Sequence, residues 1–138
     1  MVIGIHNITG MFLYYNITYF GDTLPLPKLK VSHSYRYLGK FTCNLDDWGN
    51  YYNPILEISD VYDYTEDQFR DILLHEMIHH YLIHTKLDLR CSHGKVFKSM
   101  AEDFNLRYGT NITARIDIET HKVREGKSNF LKYLCNIL

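Results

Sequence analysis

Cysteine is scarce in this chain of 138 residues. Cys43, Cys91 and Cys135 are its whole complement, and no two form a CxxC pair. An odd, sparse set excludes a disulfide framework and a cysteine-built structural zinc site, and it suits a reducing compartment. Net charge is nearly absent as well, at −1, which removes the global electrostatic footprint of a nucleic-acid-binding domain. No apolar run is long enough to span a bilayer. The first twenty residues lean apolar but contain Gly4, His6, Asn7, Gly10 and Asn16. They lack a basic leader and a small-residue cleavage site, so no secretory signal is expected. The Asn-Ile-Thr sequons at Asn7, Asn16 and Asn111 are then expected to stay unmodified, because glycosylation needs the secretory route. The expected location is the cytoplasm. Repeats, low-complexity tracts and linkers are also missing, so residues 1–138 read as a single domain.

What is present suits a compact enzyme domain. Hydrophobic residues make up 46% of the chain, ample for a core. Twelve Tyr and seven Phe are compatible with a groove for an extended peptide, although most of them serve as core and surface filler. A first helix is predicted over roughly Ile8 to Phe20, ended by Gly21. The Leu24-Pro25-Leu26-Pro27 stretch is an extended connector, since each proline disfavours helix before it. Leu29, Val31, His33 and Tyr35 alternate with polar residues as a strand. Tyr37 to Asn44 reads as its hairpin partner, Asp46 to Asn50 as a loop, and Pro54 to Ser59 as a third strand. A further strand is predicted where Ile112, Ala114, Ile116 and Ile118 alternate with polar residues. The stretch from Asn129 to Leu138 is apolar enough to pack but ambiguous in type. The fold class is α+β, a small, mainly antiparallel sheet beside two helices that carry the chemistry.

Those helices hold the most informative residues. His75-Glu76-Met77-Ile78-His79 places two imidazoles four residues apart with a carboxylate between them. On an α-helix, residues i and i+4 differ by about 40° in azimuth, so both rings leave one face and can grip one metal ion. Glu76 follows the first ligand directly and is placed to act as general base toward an attacking water. Thr65-Glu66-Asp67-Gln68 is a capping box that starts this helix, with acidic residues at the positive end of its dipole. Phe69, Ile72, Leu73, Met77, Ile78, Leu82 and Ile83 spread apolar surface around much of it, as in a buried helix. Two buried histidines without a shared ligand would each need another partner.

A catalytic zinc site takes three protein ligands and leaves one position open. Helix-compatible residues run to about Thr85, and a loop follows to Cys91. Ser92-His93-Gly94-Lys95-Val96-Phe97 then opens a second helix ending near Tyr108 and Gly109, which puts His93 at its start as the third ligand. His80 and His84 share the first helix but point away from the His75/His79 face. Glu102 on the second helix and the thiol of Cys91 are the rival third ligands. No glycine follows His79 at the spacing of the extended metzincin motif.

His75-Glu76-Met77-Ile78-His79 followed after a short loop by His93-Gly94-Lys95-Val96-Phe97-Lys98 resembles the SprT-like metallopeptidase domain, the group that includes Spartan-type proteases. The stretch from Tyr15 to Pro25 looks like that family's first helix and the turn leaving it, and Ile55 to Ser59 like the strand before its metal helix. The resemblance covers roughly residues 10 to 119. It implies a zincin-like core with one Zn2+ per chain, His75, His79 and His93 as ligands, and Glu76 as the catalytic carboxylate. Many members carry a C-terminal cysteine-rich zinc ribbon, for which this chain has no cysteine pairs.

Two functional readings follow. One is a zinc metalloendopeptidase acting on protein or peptide substrates. The other is a catalytically silent module that binds metal or protein. The carboxylate of Glu76 favours the enzyme, because a structural site has no use for it and is normally closed by four ligands. An oxyanion-stabilising side chain is expected, with Tyr62, Tyr64 and Arg90 as open candidates. The resemblance also implies action on DNA-associated proteins. His121, Lys122, Arg124, Lys127 and Lys132 make only a mildly basic tail, so DNA binding by this chain alone is expected to be weak and salt-sensitive.

Overall fold

In the computed structural model, residues 1–115 and 121–124 are described. Helix α1 spans Ile5–Phe20 and ends where Gly21 turns left-handed at φ 61°. Buried Asn16 then staples the departing chain: its side-chain amide donates to the Leu24 carbonyl (2.8 Å) and its oxygen accepts from the Leu24 N–H (3.1 Å). The proline-bearing connector leads into β1 (Lys28–Ser32), followed by β2 (Gly39–Leu45) and β3 (Tyr51–Ser59).

The strand order is β1-β3-β2, with β2 antiparallel and β1 parallel to β3. The expected hairpin between the first two strands is therefore not formed. Adjacency in sequence suggested it, but β3 takes the centre because Leu56 and Ile58 are both fully buried there. Leu29 and Val31 stand opposite them from one side, and Phe41 and Gly39 from the other. Ser59 locks the crossing segment in place, its N–H donating to the Leu38 carbonyl (2.8 Å) and its hydroxyl to the Ser34 carbonyl (2.6 Å). The real hairpin is β2–β3, closed by Asp46, whose carboxylate accepts from the N–H groups of Trp48 (2.9 Å) and Asn50 (2.8 Å). A second, two-stranded antiparallel sheet pairs β4 (Tyr62–Asp63) with β5 (Lys122–Val123).

Helix α2 (Glu66–His84) begins as its sequence dictates. The Thr65 hydroxyl accepts from the Gln68 N–H, and the Gln68 side chain accepts from the Thr65 N–H. Twelve of its nineteen residues are buried, because the sheet covers one side and other helices the rest. Helix α3 (Lys95–Tyr108) starts after Gly94 and stops at Gly109, left-handed at φ 67°. Its buried Phe104 packs on Phe20 of α1, ring centroids 5.4 Å apart. His93 therefore precedes α3 rather than opening it. No described helix is long and apolar enough to cross a membrane.

The strand expected over residues 112–119 is not formed in its described part, residues 112–115. Asn105 explains this: its oxygen accepts from the Ile112 N–H (2.8 Å) and its amide donates to the Ile112 carbonyl (2.9 Å), taking both backbone groups a strand would use. Residues 116–119 and the stretch from Asn129 to Leu138 lie outside the described residues, as do Lys127, Lys132 and Cys135.

The sheet lies close against α2 at Gly39. A Cβ there would lie 3.0 Å from Ile72 Cγ2 and 3.1 Å from Glu76 Cγ. Gly39→Val is expected to destabilise the protein by about 1–3 kcal/mol through overpacking, read as a lower denaturation midpoint. An unchanged midpoint would mean that α2 can shift freely off β2.

Candidate metal centre

The two ring nitrogens four residues apart on α2 point where their spacing sends them, into a cleft of about 290 Å³ between α2 and the segment 36–41. His75, Glu76 and His79 are all buried at no more than 6% exposure. The third imidazole comes from the loop after α2. His93 Nε2 lies 3.1 Å from His75 Nε2 and 3.0 Å from His79 Nε2. His75, His79 and His93 form the one group of three or more potential metal donors found among the described residues.

Several local features aim these nitrogens. His75 Nδ1 donates to the Thr113 carbonyl (2.8 Å), which fixes the tautomer and leaves the Nε2 lone pair facing the cleft. Buried Asp88 shapes the loop bearing His93: its carboxylate accepts from the Arg90 N–H (3.0 Å) and the Ser92 hydroxyl (3.1 Å). Those hydrogen bonds hold the Asp88 carboxyl below its ordinary range. Phe97, fully buried on the first turn of α3, packs against all three imidazoles with centroids 4.6–5.2 Å away.

Burial also sets the charge states. It lowers the His75 imidazole to about 4 and the His79 imidazole to about 3, and it lowers His93 as well. All three rings are therefore neutral near pH 7, with their Nε2 atoms converging on one point. A cation among them would take a lone pair from each ring, in place of the Nε2–H···Nε2 contacts that neutral rings can make there. Nitrogens bound at about 2.0–2.1 Å to a tetrahedral ion lie about 3.3–3.4 Å apart, close to the separations here. The His79 Nδ1 is buried without a hydrogen-bond partner among the described residues, so its contacts at Nε2 are what orient that ring. The residues fit a metal ion held by three imidazoles and open toward the cleft.

Glu76 lies beside this point, its Oε1 3.9 Å from His75 Nε2. Burial pushes its carboxyl up to about 8. A neighbouring cation would favour the ionised form and pull that value down.

The other sequence candidates fall elsewhere. His80 and His84 turn to a different face, where the Tyr51 hydroxyl lies 3.2 Å from His80 Nε2 and 2.9 Å from His84 Nδ1. Glu102 is exposed on α3 and outside the donor group. Cys91 lines the cleft, yet its thiol is outside the donor group too. The three oxyanion candidates do not line the cleft. The Tyr62 hydroxyl donates to the Tyr35 carbonyl, the Tyr64 hydroxyl to the Ser59 carbonyl, and Arg90 faces Asp88. Residues that sequence reading missed are Thr113, which acts through its backbone carbonyl, and Gly39, which only the packing reveals. Asp88 was the one legible omission, since an aspartate two residues before Arg90 and four before Ser92 is an Asx-turn pattern.

A family model described as the SprT-like family matches residues 8–117 of this chain. No curated protein matches it.

The protein is expected to bind one divalent ion per chain, and His75→Ala, His79→Ala and His93→Ala should each reduce occupancy severely. Asp88→Ala should weaken binding about 10–100-fold by freeing the His93 loop. Elemental analysis and competition with a chelator measure both, and full occupancy in His93→Ala would remove it from the ligand set.

Metal-free protein should also show opposing pH slopes. Below pH 6.5 the unfolded chain takes up protons that the folded imidazoles refuse, so stability falls with acid. Between about 4.5 and 8 the unfolded chain releases a proton that folded Glu76 keeps, so its contribution to stability falls with rising pH. Glu76→Gln removes the second slope and should melt higher than wild type at pH 8 without metal. An equal or lower melting temperature would contradict the raised carboxyl.

Proposed function

The chain belongs to the SprT-like family, and we propose that it is a zinc-dependent metallopeptidase that hydrolyses peptide bonds of protein substrates. The observation that carries this reading is a buried carboxylate, Glu76, standing beside three converging imidazoles at the floor of an open cleft. Three nitrogen ligands and a free fourth position are the donor set of catalytic zinc. When bound, zinc would supply a Lewis acid that polarises the scissile carbonyl and lowers the pKa of the attacking water.

The chain's own groups do the rest. Glu76 accepts the water's proton as the bond to the carbonyl carbon forms, then delivers it to the departing amine. Its burial keeps competing water away, so the proton has a single acceptor. Gly39, with no side chain, lets β2 lie against Glu76 closely enough to bring substrate into reach. Strand β2 is the outer strand of its sheet, and residues 36–41 line the cleft. A substrate in extended form can add to that free edge through main-chain hydrogen bonds, which hold it in register beside Glu76.

DNA enters this reading as a weak, salt-sensitive contact through basic residues such as Lys122 and Arg124, and the cytoplasm as the setting, given the sparse cysteines.

Glu76→Gln should keep zinc and fold while losing about 10²–10⁴-fold of the hydrolysis of an unfolded protein substrate. The measurement is cleavage of a casein-like substrate by zinc-loaded wild type and variant from parallel preparations. Equal rates would place the base elsewhere. A zinc-loaded wild type that cleaves nothing would leave a silent metal-binding module.

A further inference from the structure

The walls of the cleft differ in charge. Its floor holds Glu76, which is buried, and among the described residues this is the only acidic one lining the cleft. The outer wall carries Arg36 and Lys40, both exposed. Neither has a carboxylate within ion-pair distance among the described residues, although Lys40 lies over the Tyr37 ring at 5.5 Å. The acid nearest in register, Glu57 opposite Lys40, is already engaged by the Lys30 ammonium (3.5 Å) and the Tyr37 hydroxyl (2.8 Å).

Lysines without a carboxylate partner occur elsewhere among the described residues, Lys28, Lys95 and Lys98 for example, but Arg36 and Lys40 are the two described lysines or arginines that line the cleft, the first just before β2 and the second within it. Arg36 stands three residues before Gly39 and Lys40 one after it, so both fall within about 10 Å of chain on either side of the point nearest Glu76. A ligand laid along this edge meets positive charge close to the bond to be cut. An anionic side chain there gains a pairing in a cleft with low-dielectric walls, whereas a cationic one meets repulsion.

We propose that Arg36 and Lys40 make the cleft selective for acidic peptide segments, with Asp or Glu close to the scissile bond. This rests on the metallopeptidase reading for the word scissile, but the preference is a property of binding and is separable from cleavage. Phosphates of single-stranded nucleic acid are the rival anion. The groove favours peptide because the aromatics beside the two cations among the described residues make poor platforms for bases: Phe41 is buried, and Tyr37 is half-buried with Lys40 over its ring and its hydroxyl donating to Glu57.

The test uses zinc-loaded Glu76→Gln protein and fluorescein-labelled twelve-residue peptides whose central positions are acidic, neutral or basic. Anisotropy at low and at physiological salt gives the affinities, and an unlabelled single-stranded oligonucleotide serves as competitor. The acidic peptide should bind about three- to tenfold more tightly than the neutral one, as two partly exposed charge pairs permit, with the basic peptide weakest. In the Arg36→Glu/Lys40→Glu background that order should reverse, and in Arg36→Gln/Lys40→Gln it should collapse to equality. An unchanged acidic preference in both variants would overturn the proposal, as would tighter binding of the neutral or basic peptide. Oligonucleotide that binds more tightly than the acidic peptide and loses affinity in the same variants would assign the cations to nucleic acid instead. Wild-type cleavage of all three peptides without preference would retain the protease and reject the selectivity. Selective binding with no cleavage would retain the selectivity and reject the protease.

Discussion

Three neutral imidazole nitrogens pointed at one another form an arrangement that a protein does not keep without compensation. The His93 Nε2 lies within 3.1 Å of both partners, where a neutral ring has one N–H at most to share between two acceptors and a metal ion takes a lone pair from all three. Burial keeps the rings neutral, because it holds His75 and His79 well below their ordinary values. The arrangement therefore depends on structure that holds the three rings together, and a cation would complete it. That structure is identifiable: the Thr113 carbonyl on one ring, the Asp88-shaped loop behind another, and Phe97 packed under all three. Three neutral nitrogen donors gathered at one point suit a positive ion better than a general polar ligand.

Glu76 obeys the opposite logic within the same few ångströms. Without a cation its carboxylate is the costly group, since burial leaves it with no strong counter-charge. Imidazoles that resist protonation and a carboxylate that resists ionisation are two penalties with one remedy. A divalent ion satisfies the first directly and lowers the second by its field. Each group alone would be a liability in a core; together they are strained toward the same ligand. This coupling accounts for why so polar a cluster is tolerated on a helix with twelve buried residues.

Sequence made much of this visible. The i, i+4 histidines, the cap at Thr65 and the helix stop at Gly109 are local, and local rules held for each. The third imidazole was reachable because one short loop separates it from α2. What could not be read was non-local. Strand pairing failed because Leu29 and Val31 alternate as well for an edge parallel to β3 as for a hairpin with β2. The strand over residues 112–115 failed because the Asn105 side chain, seven residues earlier than Ile112, outcompeted a ladder for its backbone groups. Tyr62, Tyr64 and Arg90 were plausible by type alone, yet each finds its partner away from the cleft.

Gly39 shows how the sheet and the site are one problem. The position is half-buried on an outer strand, where side chains are usually free to vary, but a Cβ would meet both Ile72 and Glu76 of α2. The absence of a side chain therefore sets the spacing between the free strand edge and the carboxylate. Shorter spacing would crush the cleft; under the proposed function, longer spacing would leave a backbone-bound substrate out of reach of Glu76, since proton transfer demands contact at hydrogen-bond distance. The charged wall follows from the same geometry. With Gly39 and Phe41 facing inward to α2, the alternation of the strand turns Lys40 outward. A single register thus determines where the helix sits and, on the proposed function, where a substrate backbone would pair and which charge it would meet.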